Sequence, residues 1–207
     1  MTGPARPDPR RGGYCAQASA GRCQLARAEF ERTNTQHGTQ AGAGERDARD
    51  SAEPDLRLSP DDIAHAHALI DELSRARSLQ HCALFLWDPA VRRLRLVAQR
   101  WGAGEDLGEV LVGTWTIALS GVCGRAFTTG LPALVHDVED DPDFLSFPGS
   151  RTRSELAAPI ICDGRPTGVV NLESPRVGAY GRADVEALGT WADSVGETIR
   201  GFYGGPA

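Results

Sequence analysis

Cys123 sits in the run Gly121-Val-Cys-Gly124, at the start of a short helix read from the sequence. The positive end of a helix dipole favours the thiolate, so a cysteine here could act as a nucleophile or redox centre. The alternative is that any small side chain suits a tight, covered helix start. Downstream, a strand ends in His136-Asp137, and Glu139, Asp140, Asp141 and Asp143 make an acidic loop broken by Pro142. Their oxygens could hold a hard cation, or simply form a solvated acidic surface. Arg153 and Glu155 flank Ser154 at a strand entrance. One of them can face a pocket and bind a charged ligand group, or both can form ion pairs with neighbours. No nucleophile elbow, glycine-rich phosphate loop or His/Glu metal pattern is present. All 22 basic residues are Arg, so Schiff-base chemistry and a P-loop lysine are excluded. Binding is therefore the leading reading and catalysis the lesser one.

The elements that must position these groups follow from periodicity. Ser59-Pro60-Asp61-Asp62 is a helix start, and Ile63, Ala66, Ile70 and Leu73 continue at helical spacing, which predicts an amphipathic helix over 60–77. Residues 82–87 and 94–98 read as a hairpin across Asp88-Pro89, and Val110 to Leu119 as a third strand. A helix over 121–129 is stopped by Gly130. A strand over 133–138 follows, then a loop with one helical turn around Phe144. Strands 156–162 and 167–173 are joined by Asp163-Gly164-Arg165. Val185, Leu188, Ala192, Val195 and Ile199 predict a closing helix over 182–200. This order gives an α+β fold: a central antiparallel sheet with both terminal helices on one face, and the short helix and acidic loop covering a pocket on the other.

Composition limits the partners. Residues 1–55 hold eight Arg against eight acids, with sparse apolar residues, and read as a disordered tail. The net charge of −6 therefore belongs to residues 56–207, which argues against nucleic acid and anionic membrane surfaces. The N-terminal residues lack the apolar core of a secretory signal, and no apolar run reaches membrane-spanning length. Five cysteines without paired Cys-x-x-Cys spacing read as free thiols in a reducing cytoplasm.

The pieces GVCGRAFTTGLPALVHDV, SELAAPI and GVVNLES, with the helix around Leu188 and Ala192, closely resemble a GAF domain in order and spacing from Ser59 to Tyr203. GAF domains are small sensory modules of signalling proteins. The resemblance implies a GAF-like (PAS-like) sheet with a ligand between it and residues 121–129 and 137–153. The implied lining is Trp115, Ile117, Cys123, Phe127, His136, Asp137, Phe144, Arg153 and Glu155. A haem-binding member would need an axial imidazole, for which His136 is the pocket-side candidate, although a lone His at a strand end also serves as a structural residue. Cyclic-nucleotide binders use a signature containing Lys, which is absent. Bilin binders use a Cys beside a His, and only His81-Cys82 at a strand start comes near it.

The free methionine-(R)-sulfoxide reductases are similar at Cys123 and Ser154-Glu155, and their pair of acids two apart appears as Asn171 and Glu173. Where that family has two further cysteines, this chain has Gly113 and Pro148, leaving Cys162 as the distant candidate to resolve a sulfenic acid at Cys123. The expectation is a cytoplasmic sensory GAF protein that binds a small molecule whose identity, like any cofactor, the residues do not name. It is expected to homodimerise through helices 60–77 and 182–200 and to act on a partner in trans. The alternatives are a ligand-free dimerisation or interaction module, its pocket filled by Trp115, Phe127 and Phe144, and a thiol-dependent reductase.

Overall fold

The computed structural model describes residues 55–75, 81–102, 112–146 and 150–204. The predicted tail before Asp55 and the ends of several predicted elements lie outside these residues. The elements, in chain order, are α1 (Pro60–Arg75), β1 (His81–Asp88), β2 (Arg93–Trp101), β3 (Thr116–Ile117), α2 (Gly121–Thr129), β4 (Ala133–Val135), a 3-10 turn (Val138–Asp140), β5 (Ser154–Cys162), β6 (Arg165–Ser174) and α3 (Arg182–Arg200). The six strands form one sheet in the order β3-β2-β1-β6-β5-β4, and the pairs are antiparallel.

Strand alternation divides the apolar residues between two faces. On one face Leu84, Leu86, Leu156, Ile160, Val170 and Leu172 pack against Ala66, Ile70 and Leu73 of α1 and Leu188, Ala192, Val195 and Ile199 of α3. Those are the apolar stripes that helical spacing predicts. On the other face Ala83, Phe85, Leu94, Leu96, Ala157 and Val169 pack against Val122, Cys123 and Ala126 of α2, with Trp115 and Ile117 beside them. The terminal helices thus share one face and the short helix covers the other, as the sequence predicts.

Local chemistry explains the boundaries. Ser59 and Asp62 cap α1 reciprocally: Ser59 N donates to Asp62 at 2.8 Å, and Asp62 N donates to Ser59 Oγ at 3.2 Å. Asp163 and Gly164 both have positive φ, so a two-residue turn closes the β5-β6 hairpin and both strands run longer than predicted. α2 lies against the segment before it, and a Cβ at Gly124 would stand 2.3 Å from the Leu119 carbonyl carbon, so only glycine fits.

Three expectations are corrected. Of the predicted strand over 110–119, only Thr116–Ile117 is strand in the described part. Gly113 takes a left-handed turn (φ 77°) that breaks the run, although Leu96 still donates to the Trp115 carbonyl. The strand predicted over 133–138 stops at Val135, because Asp137 accepts from Glu139 N and caps the 3-10 turn. The helical turn predicted around Phe144 is reduced to one hydrogen-bonded turn, Phe144 N donating to Asp141 O at 3.1 Å, and the 3-10 turn lies before it.

Candidate functional site

Strand register brings the polar residues into one row. Glu155 of β5 pairs across the ladder with Glu173 of β6, and Glu173 pairs with His81 of β1. In the next row Ala157, Asn171 and Ala83 are partners in the same way. Two alanines therefore flank Asn171 across the ladder. Asn171, Glu155 and Glu173 are 3, 5 and 9 % exposed, respectively.

These buried groups are joined by hydrogen bonds. Asn171 Nδ2 donates to Glu155 Oε1 (3.2 Å) and Glu173 Oε1 (3.1 Å), bridging the two carboxyls. Cys123 Sγ, from the first turn of α2, donates to Glu155 Oε1 at 3.5 Å. His81 Nδ1 meets Glu173 Oε1 at 3.1 Å, and its Nε2 lies 3.3 Å from Gln99 Oε1. The His81 ring stacks on Trp101 with centroids 3.9 Å apart. Thr152 donates to Glu173 Oε2 and is itself bonded to Ser150. Asn171 Oδ1 is buried and has no hydrogen-bond partner among the described residues. An unpaired buried acceptor costs about 1–3 kcal/mol, so a donor brought to this atom would stabilise the site.

The two carboxyls differ in protonation. Burial, then the charge of Glu173, pushes Glu155 up to about 8, against the bonds from Asn171 and Cys123 and the charge of Arg125. For Glu173 burial acts in the same upward direction, but the charge and hydrogen bond of His81, with Thr152 and Asn171, outweigh it and hold the group below the usual carboxylate range. At neutral pH Glu173 is the anion and Glu155 keeps its proton.

The thiol reading of Cys123 is corrected. Burial, followed by the charges of Glu155 and Glu173, raises its pKa well above the ordinary value, and the helix dipole does not offset two neighbouring acids. Cys162 belongs to the cluster on the opposite face, where its thiol donates to Gly196 O at 3.0 Å, and Cys82 lies in that cluster too. The sheet separates both from Cys123. Iodoacetamide at pH 7.5 is expected to label Cys123 no faster than the domain unfolds. Peptide mass spectrometry reads this out, and rapid labelling of the native protein would restore the thiolate.

The remaining predicted residues divide into three groups. Trp115 and Ile117 are buried, and Phe127 and Phe144 are half-buried against the same apolar cluster, with Phe127 stacked on Trp87 at 5.2 Å. Arg153 turns to Asp137, with Nη2–Oδ2 2.9 Å, and to Glu139 at 3.3 Å, while Arg125 takes Asp141 and Asp143. The acidic loop is thereby pinned by two arginines, and among the described residues no group of three His, Cys, Asp or Glu is placed to hold a metal. His136 is exposed, away from the buried row. Sequence reasoning missed His81, Thr152 and Arg125. For His81 the signal was its position opening a strand, but only the β1-β6 pairing, across 92 residues, brings it to Glu173.

Residues 63–199 match the GAF domain family, and the chain belongs to it. A type II free methionine-R-sulfoxide reductase from Thermoplasma acidophilum is similar in structure, with a TM-score of 0.58 at 21% identity over 69% of this chain and 94% of that one. The GAF domain of a phosphoenolpyruvate-protein phosphotransferase from Coxiella burnetii reaches 0.60 at 16% identity, over 90% of this chain and 96% of that one. Protein YtsP of Bacillus subtilis is 28% identical over 79 residues, which are 38% of this chain and 48% of YtsP, so the match spans about half of that relative's length. Among the described residues no helix is long and apolar enough to cross a membrane.

Proposed function

We propose that this GAF domain is a sensory module that binds a small molecule through a protonated amino group seated against Glu155, Asn171 and Glu173. The observation that carries this reading is the unpaired Asn171 Oδ1 beside two buried carboxyls. An ammonium N–H would supply the missing donor, and its charge would suit the anionic Glu173. The similar reductase is named for free methionine-R-sulfoxide, a molecule that carries an amino group. The buried, electrically disfavoured Cys123 thiolate and the lack of a resolving cysteine on its side of the sheet, among the described residues, speak for binding without turnover.

Contacts that run from α2 to the segments flanking α1 and α3 support a sensory role. Trp87 stacks on Phe127 of α2, and its carbonyl accepts from Tyr203 Oη at 2.8 Å, just beyond α3. Tyr203 also donates to Thr167 O at 2.7 Å and bridges to Leu56 ahead of α1. Homodimerisation through the terminal helices and a partner acting in trans belong to the same proposal.

The second reading is the ligand-free interaction module, favoured by the packing of Trp115, Phe127 and Phe144 into the apolar cluster. A thermal-shift panel separates the two. Methylammonium, ethanolammonium and the free L-amino acids are tested against acetate and tetramethylammonium, which lack an ammonium N–H. At least one amine is expected to raise Tm, with about 2.7 kcal/mol of stabilisation when its concentration is 100 times Kd. Silence across the amines favours the interaction module.

A further inference from the structure

The geometry points to Glu155 as a proton-exchanging residue: an ammonium ligand enters the site as the carboxyl proton of Glu155 leaves, so that binding is coupled to pH. This rests on the reading of the row as an amine receptor. Its physical basis is the crowding of two carboxyls on adjacent strands, both bridged by one amide nitrogen and both closed off from water. Two such anions repel, and the pair settles by keeping one proton.

Which carboxyl keeps the proton is decided by neighbours. Glu173 has His81 and Thr152 on its side, one a potential cation and the other a hydroxyl donor. Glu155 has the Cys123 thiol from α2, the Asn171 amide from β6 and, on its β4 side, the apolar Val135. Arg125 of α2 acts on it from a distance but is held by Asp141 and Asp143. Tyr180, ahead of α3, is the remaining titratable neighbour, and burial keeps its hydroxyl neutral. With no cation among the described residues bonded directly to Glu155, the proton stays there until a cation arrives.

An ammonium ion is that cation. When it enters, its charge stabilises the Glu155 carboxylate and the O–H proton passes to buffer. The ammonium keeps its own protons, and no bond to carbon forms or breaks. Below the ligand-free pKa of Glu155, about 8, affinity then rises with pH by up to tenfold per unit and levels off above it.

The test has one arm without ligand and one with it. Infrared difference spectra of the ligand-free protein between pH 6 and 10 are expected to show a buried carboxylic acid C=O band that disappears with a midpoint near 8 and is absent from Glu155→Gln. Calorimetry of methylammonium with the wild type at pH 6.5 in phosphate gives the binding, and a pH-stat titration of the same ligand in unbuffered solution is expected to show release approaching one proton per ligand; neither needs a variant. A wild-type spectrum without that band overturns the proposal. Methylammonium binding without proton release overturns the exchange and leaves the receptor reading intact. A titrating band with no amine binding at all overturns the receptor reading, and the exchange falls with it.

Discussion

Glu155→Gln is expected to abolish a loss of stability that the wild type suffers as pH rises from 5 to 9. The folded-state pKa of Glu155 is raised to about 8 from an ordinary 4.5. A group raised in this way contributes stability that is fully present below 4.5 and is lost as pH climbs through 8, because over that window the folded state binds the extra proton. The slope is at most about 1.4 kcal/mol per pH unit. Gln keeps the shape and the acceptor that Asn171 and Cys123 use, but cannot ionise, so its curve should be flat over the same window. Urea unfolding at pH 5, 7 and 9 checks this. Parallel curves for the two proteins would show that Glu155 titrates normally. The lowered pKa of Glu173 acts in a separate window: its contribution is present above 4.5 and disappears as pH falls through its folded value.

Glu173→Gln is expected to be the more damaging change. It removes the charge that His81 Nδ1 faces at 3.1 Å, and leaves one oxygen where Thr152 and Asn171 use two. Leaving buried donors without the acceptor they use costs about 1–3 kcal/mol. Urea unfolding at pH 7 should show a loss of that order. It should also bring Glu155 back toward the ordinary carboxylate range, since the charge of Glu173 is the second cause of its elevation. A loss below about 1 kcal/mol would mean that His81 and Glu173 do not act as a pair.

Residues with a strong period were readable in advance. Ile70 and Leu73, like Leu188 and Ile199, announce which side of their helix is buried, because a 3.6-residue repeat and a sheet face leave no other arrangement. Gly130 at φ 66° ends α2 where the sequence predicts it. The span 110–119 misled because its β-branched and aromatic residues fit a strand, while the conformation of Gly113 does not. In the site, the acids themselves were legible, Glu155 and Glu173 through the resemblance, but their unequal character was not. That asymmetry depends on His81, which reaches Glu173 only through a strand pairing between distant parts of the chain. The dipole argument for Cys123 failed for a related reason. It considered the helix alone, and the carboxyl beneath its thiol comes from another strand.

The central claim is that the buried row of Glu155, Asn171 and Glu173 receives an ammonium group, and Asn171 offers the most direct view of it. The chain has two asparagines, Asn34 and Asn171, so the side-chain amide signals of Asn171 in a nitrogen-15 spectrum can be assigned by their loss in Asn171→Leu. Titrating the amine that raises Tm most should shift the Asn171 carboxamide pair, saturating at the Kd given by calorimetry. An Asn171 pair that stays fixed while the amine binds would place the ligand elsewhere and contradict the account.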